Sequence, residues 1–106
     1  MKIRYLSIAE EELGKAIEYY EEKERGLGLR FYAEYRAALA RILAYPDAWF
    51  PLSPNTRRCR TKVFPFGIIY LLREKEIIVI AVSEMHQKPG YWKDRLDDDY
   101  CGNQQR

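Results

Sequence analysis

Arg58, Arg60 and Lys62 stand at every second position of the stretch Thr56–Phe64. In an extended strand that spacing puts all three cations on one face, with Arg57, Cys59, Thr61 and Val63 on the other. Such a stripe suits RNA phosphates, the charge of a phosphorane, or an acidic segment of another protein. It equally suits the solvated outer face of a two-layer sheet. Arg57, on the opposite face, is expected to pair with an acidic helix residue. His86 is the only histidine in the chain. An imidazole titrating near neutrality can take a 2′-hydroxyl proton or give one to a leaving 5′-oxygen. Metal-free RNA cleavage would therefore draw on His86, Arg60, Lys62 and Arg58, with Arg73 or Tyr91 as further partners. The simpler role for His86 is to hydrogen-bond or cap a strand end. Tyr91-Trp92 can stack bases, or tie the chain end to the core as paired large aromatics do. No glycine-rich phosphate loop, zinc-ligand spacing or Ser/His/Asp pattern is present, so no metal or other cofactor is expected.

The elements that must position these residues follow from periodicity. Lys2–Leu6 alternates as a short strand. Ser7-Ile8-Ala9-Glu10 has the spacing of a capping box. Leu13, Ala16, Ile17 and Tyr20 then form one apolar helical stripe, which Gly26 and Gly28 should stop. A second helix is expected from Leu29 to Tyr45, burying Phe31, Tyr35, Ala38, Leu39 and Ile42 and ending at Pro46. Asp47–Asn55 holds two prolines and reads as a loop. The period then changes to alternation. Thr56–Phe64 is expected to be a strand, Pro65-Phe66-Gly67 a turn, Ile68–Arg73 a second strand and Glu74-Lys75 a tight turn. Glu76–Ser83 is apolar on both faces and should be a central strand. Gln87–Gly90 reads as a loop and Tyr91–Leu96 as a helical turn. The resulting fold is a two-layer α+β domain: strand, two helices forming an antiparallel hairpin, a three-strand antiparallel meander and a short C-terminal helix. It spans residues 1–96, and 97–106 read as a mobile polar tail.

With 106 residues, 47% hydrophobic and 32% charged, the chain has an ordinary globular composition for one domain. The net charge of +2 does not mark a nucleic-acid binder, but its distribution is uneven. Seven glutamates between Glu10 and Glu24 crowd the first third, opposite the basic stretch Arg57–Lys62. Nine tyrosines suit an interface as well as a core. Cys59 and Cys101 form no framework and are read as free thiols in a reducing cytosol. The N-terminus lacks an apolar signal core, and no run approaches the ~20 apolar residues that span a bilayer. A soluble cytoplasmic protein without a membrane partner is expected.

Several local patterns resemble the RelE/ParE toxin superfamily, most closely its ParE-like plasmid-stabilisation branch. Leu27-Gly28-Leu29-Arg30-Phe31 resembles that family's opening of the second helix. Arg57-Arg58 through Phe64-Pro65-Phe66-Gly67-Ile68-Ile69-Tyr70 resembles its basic strand, turn and following strand. Ala81-Val82 through His86, then Pro89, Tyr91-Trp92 and Arg95, resembles the ParE-like ending. The likeness covers about residues 2–95. In place of the arginine that usually follows the histidine, this chain has Gln87-Lys88-Pro89, which leaves Lys88 as the nearest cation. Lysine lacks the bidentate fork of arginine. The resemblance implies a type II toxin that poisons DNA gyrase and is neutralised by a cognate antitoxin. Within the superfamily it also admits, as alternatives, a RelE-like ribosome-dependent messenger-RNA endoribonuclease or a non-toxic member that only binds its antitoxin. Arg73, Lys88, Tyr91, Trp92 and Arg95 are the binding candidates. The antitoxin is expected across the helical hairpin and the sheet. A homodimer is expected where the antitoxin leaves that surface uncovered.

Overall fold

A computed structural model describes residues 1–95. In chain order it contains β1 (Lys2–Tyr5), α1 (Ser7–Lys23), α2 (Leu27–Ala44), β2 (Phe50–Pro51), β3 (Thr56–Arg60), β4 (Phe66–Arg73) and β5 (Glu76–Glu84). The strands form one sheet in the order β1-β5-β4-β3-β2. β3, β4 and β5 are the expected antiparallel meander, and β1 joins the other side of β5 in parallel. The sheet is therefore mixed. β5 is an interior strand, and its residues from Ile77 to Val82 are buried on both faces. The helical hairpin crosses one face of the sheet, carrying the chain from the β1 edge to the β2 edge.

α2 buries Phe31, Tyr35, Ala38, Leu39 and Ile42, the stripe that 3.6-residue periodicity selects. Leu13, Ile17 and Tyr20 of α1 pack against the same core. Four rings close one end of it. Tyr20 lies 4.8 Å from Phe64 and 5.2 Å from Phe31, and Phe31 lies 4.9 Å from Phe66, centroid to centroid. The tilted and edge-on geometries favour the ring quadrupoles.

Several boundaries differ from the sequence reading. α1 starts at Ser7 itself, with Leu6 as its N-cap and no side-chain capping bond, so Ser7 and Glu10 do not form a capping box. The Leu6 carbonyl instead accepts from the amides of Ala9 and Glu10, while Leu6 is buried and donates its amide to Val79 of β5. Packing the strand end against the sheet thus sets the helix start. α2 begins at Leu27, two residues early, because Gly26 adopts φ +88° and turns the chain at once. The Glu21 carboxylate accepts from the amides of Gly26 and Gly28, so a side chain from the preceding helix satisfies this helix start. Gly28 does not stop α1. It lies inside α2, where a Cβ would fall 2.6 Å from the Ile17 carbonyl, and so it permits the close helix crossing.

β3 ends at Arg60 rather than Phe64. The Thr61 hydroxyl donates to the Phe64 carbonyl at 2.7 Å, folding 61–65 into the turn, and Phe66 and Gly67 already belong to β4. Phe50–Pro51, inside the expected loop, pairs with Arg57 and Arg58 as a two-residue edge strand. Proline suits such an edge, where no amide is demanded of it. Arg57 donates to the Trp49 carbonyl at 2.9 Å rather than to an acidic helix residue.

Candidate functional site

The chemistry-bearing residues can be placed by the faces of the meander. Cys59 Sγ reaches the Ala38 carbonyl of α2, and Phe66 packs on Tyr20 and Phe31, so both point to the helices. By alternation Arg58, Arg60, Gly67 and Ile69 lie on the opposite face. The register aligns Arg58 with Ile69 and Ala81, and Arg60 with Gly67 and Ser83.

On that face Arg58 lies flat. Its Cγ would stand 2.9 Å from a Cβ at Gly67, so the absent side chain makes its bed. Its guanidinium carbon sits 5.0 Å from the Phe50 ring centroid, a cation–π distance. The Arg58 Nε is buried and has no hydrogen-bond partner among the described residues. The segment after β5 folds back over this arginine and leaves a cleft of about 130 Å³, whose lining includes Arg58, Ile69, Ser83, Lys88, Tyr91 and Trp92. Four of the sequence candidates, Arg58, Lys88, Tyr91 and Trp92, thus share one cleft.

Trp92 is buried and belongs to the core, the tying role that one reading gave it. Hydrogen bonds from Lys93 to Gly90 and from Arg95 to Trp92 form the helical turn of this segment, whose expected last residue, Leu96, lies outside the described residues. Glu12 of α1 fastens it. The Tyr91 hydroxyl donates to Glu12 Oε2 at 2.9 Å, and Arg95 forks onto both carboxylate oxygens at 2.9 and 2.7 Å. The same carboxylate accepts from the Val82 amide, and Arg95 also donates to the Ile80 carbonyl. Two side chains thereby satisfy the edge of β5 where β1 has ended. Burial pushes the Tyr91 hydroxyl up to about 12, and the Glu12 hydrogen bond raises Arg95 further.

The other candidates do not join this cleft. Arg60 is exposed, and its carbonyl takes a 2.8 Å bond from Arg41. Lys62 lies in the turn, with its amide donating to Glu34, so the stripe of three cations on one strand face is reduced to Arg58 and Arg60. Arg73 sits at the opposite end of β4, roughly 20 Å along the strand from Gly67. His86 follows β5 with its side chain 84% exposed, and the Glu84 carboxylate holds it. Oε1 accepts the His86 amide at 2.6 Å and Oε2 lies 2.9 Å from Nδ1. The hydrogen bond from the His86 side chain, then that from its amide, draw the Glu84 carboxyl below its ordinary value.

Sequence reasoning missed Glu12, Glu84, Ser83 and Phe50. Glu84 carried a local signal, since it lies two residues from His86. Glu12 carried none, because its partners lie about seventy to eighty positions away. A second cleft, largely apolar and about 490 Å³, opens on the helix side between Tyr19, Tyr20, Lys23, Leu27, Phe66 and Glu84.

No helix of the described residues is long and apolar enough to cross a membrane. No curated protein matches the sequence. A chain in the solved structure "Chromosomal ParDE TA system from P. aeruginosa" is similar, with a TM-score of 0.69 at 16% identity over 79% of this chain and 95% of that one. At that identity the likeness concerns the fold. The sequence profile of the ParE toxin of the type II toxin–antitoxin system parDE matches residues 3–89, which takes in the hairpin, all of the sheet but Lys2, and most of the cleft. The chain therefore belongs to the ParE toxin family of type II toxin–antitoxin systems.

Proposed function

We propose that this protein is a toxin that inhibits DNA gyrase by binding it, and that a cognate antitoxin neutralises it. The observation that carries this reading is the family match across residues 3–89. The geometry of the ribonuclease candidates supports it further. His86 is exposed and held by Glu84, Lys62 has left the strand, and Arg58 lies under the returning segment. A general base and its phosphate-holding cations would need to converge within hydrogen-bond reach of one reacting group. A surface that works by binding has no such requirement.

The antitoxin would cover the helical hairpin and the adjoining sheet. Tyr19, Leu29, Tyr32, Leu43 and Tyr45 on and beside the two helices are exposed large side chains. An amphipathic segment folding onto them would bury apolar area at about 25 cal/mol per Å². Without it, the same patch favours self-association.

The test is a gyrase supercoiling reaction containing the purified, antitoxin-free chain. Inhibition with trapped DNA breaks, reversed by the protein encoded beside this gene, is the expected result. Normal supercoiling by folded protein would sink the gyrase assignment. New messenger 5′ ends on induction would then mark ribosome-dependent cleavage, and unaffected growth would mark a member that only binds its antitoxin.

A further inference from the structure

We propose that the Arg58 cleft binds the carboxylate of a glutamate or aspartate side chain presented by a protein partner. Arg58 Nε is a charged donor, buried and without a hydrogen-bond partner among the described residues. Leaving such a group unmet is costly, because its desolvation is not offset by any bond. Its charge is delocalised over the whole guanidinium, so an anion seated against the terminal nitrogens compensates it without displacing the sheet. The Phe50 ring lies against that guanidinium, and the space left at Gly67 holds its Cγ–Cδ stem. Little side-chain entropy is then lost on binding.

The walls discriminate among anions. Leu52, Ile69, Pro89 and Trp92 supply apolar surface for a methylene stem, and Lys88 adds a second cation at the exposed mouth. Arg58 and Lys88 are the two cations of the lining, and the one carboxylate among the lining residues, Glu84, is already engaged by His86. A nucleic-acid backbone would need a continuing track of cations, and that track breaks where Lys62 leaves the strand. The volume of about 130 Å³ also suits one short acidic side chain rather than a nucleotide. The site shares only Glu84 with the apolar helix-side cleft, and it stands whichever cellular target the protein acts on.

The experiment titrates the full-length, ¹⁵N-labelled chain with N-acetylglutamate amide, with N-acetylglutamine amide, and with a thymidine dinucleotide. The acidic probe alone should produce saturable shifts of the Arg58 Nε–H, Gly67 and Lys88 signals. Arg58→Gln should weaken that binding by about tenfold or more, the loss of a charge-assisted contact. Should Arg58→Gln fail to fold, Lys88→Gln at an exposed position reads the same site and should weaken it severalfold. An equal response to the glutamine probe, no response, or undiminished binding by Lys88→Gln overturns the proposal. Tighter binding of the dinucleotide also overturns it, in favour of a nucleic-acid surface.

Discussion

Glu12 and Arg95, 83 positions apart in sequence, meet in a two-pronged ion pair that also completes the edge of β5. The Arg95 side chain is 13% exposed and the Glu12 side chain 20%, so the pair is shielded from the screening that weakens surface bridges. Neutralising Glu12 leaves the Arg95 charge unpaired and one amide oxygen to serve the Val82 amide, the Tyr91 hydroxyl and Arg95 together. Glu12→Gln is therefore expected to cost about 2–4 kcal/mol in urea unfolding. Glu11→Gln, one position away and exposed, should change stability by less than about 0.5 kcal/mol. Equal effects would show that the pair adds nothing beyond surface charge.

The two glycines of the hairpin should respond oppositely to alanine. At Gly28 a Cβ would meet the Ile17 backbone carbonyl at 2.6 Å, so the helices must part. Gly28→Ala should destabilise by about 1–3 kcal/mol. Gly14, in the middle of α1, has no atom within 4 Å of its Cβ position. Gly14→Ala should stabilise by about 0.5–1 kcal/mol through helix propensity and a less disordered unfolded chain. Thermal melts of both variants check the pair, and a shift of the same sign in both would contradict the contact geometry.

Much of this was legible locally. The buried stripe of α2, the strands Ile68–Arg73 and Glu76–Ser83 and the interior position of β5 all follow from hydrophobic period. What was not legible depends on distant partners. The capping-box spacing at Ser7 lost to the packing of Leu6 on β5. The strand after Thr56 was read too long because the Thr61 hydroxyl, which breaks it, looks like any other β-former in sequence. For the site, alternation correctly put Arg58 and Arg60 on the outer face. It gave no sign that the 85–92 segment would roof Arg58 while His86 turned to Glu84. The expected mobile tail, 97–106, and Cys101 lie outside the described residues.

Alkaline pH should destabilise the fold through its buried tyrosines. Burial pushes the Tyr70 and Tyr91 hydroxyls up to about 12, against an ordinary tyrosine value of 10.0, and raises Tyr35 as well. Between those values the unfolded chain has released protons that the native chain still holds, so stability falls as pH rises. The tyrosine contribution is full below pH 10.0 and is lost progressively towards about 12. Urea midpoints at pH 9, 10 and 11 should therefore decline increasingly steeply. Tyr70→Phe should flatten part of that decline while losing its hydrogen bond to the Pro46 carbonyl. An unchanged slope in this variant would remove Tyr70 from the linkage.

His86→Ala separates binding from catalysis. The side chain is exposed and touches the Glu84 carboxylate, so its loss should leave the urea midpoint near that of the parent chain. Its hydrogen bonds hold the Glu84 carboxyl below the ordinary value of 4.5. Whatever stability that pair contributes is therefore present above 4.5 and lost as pH falls through the depressed native value. In the variant, the Glu84 carboxyl resonance should titrate closer to the ordinary value, which ¹³C-detected titration reads directly. Gyrase inhibition should persist, because binding needs no proton transfer from an imidazole. If inhibition is instead absent in the parent chain, and His86→Ala abolishes RNA cleavage while retaining the fold, His86 is the acid or base of a nuclease and the binding reading fails.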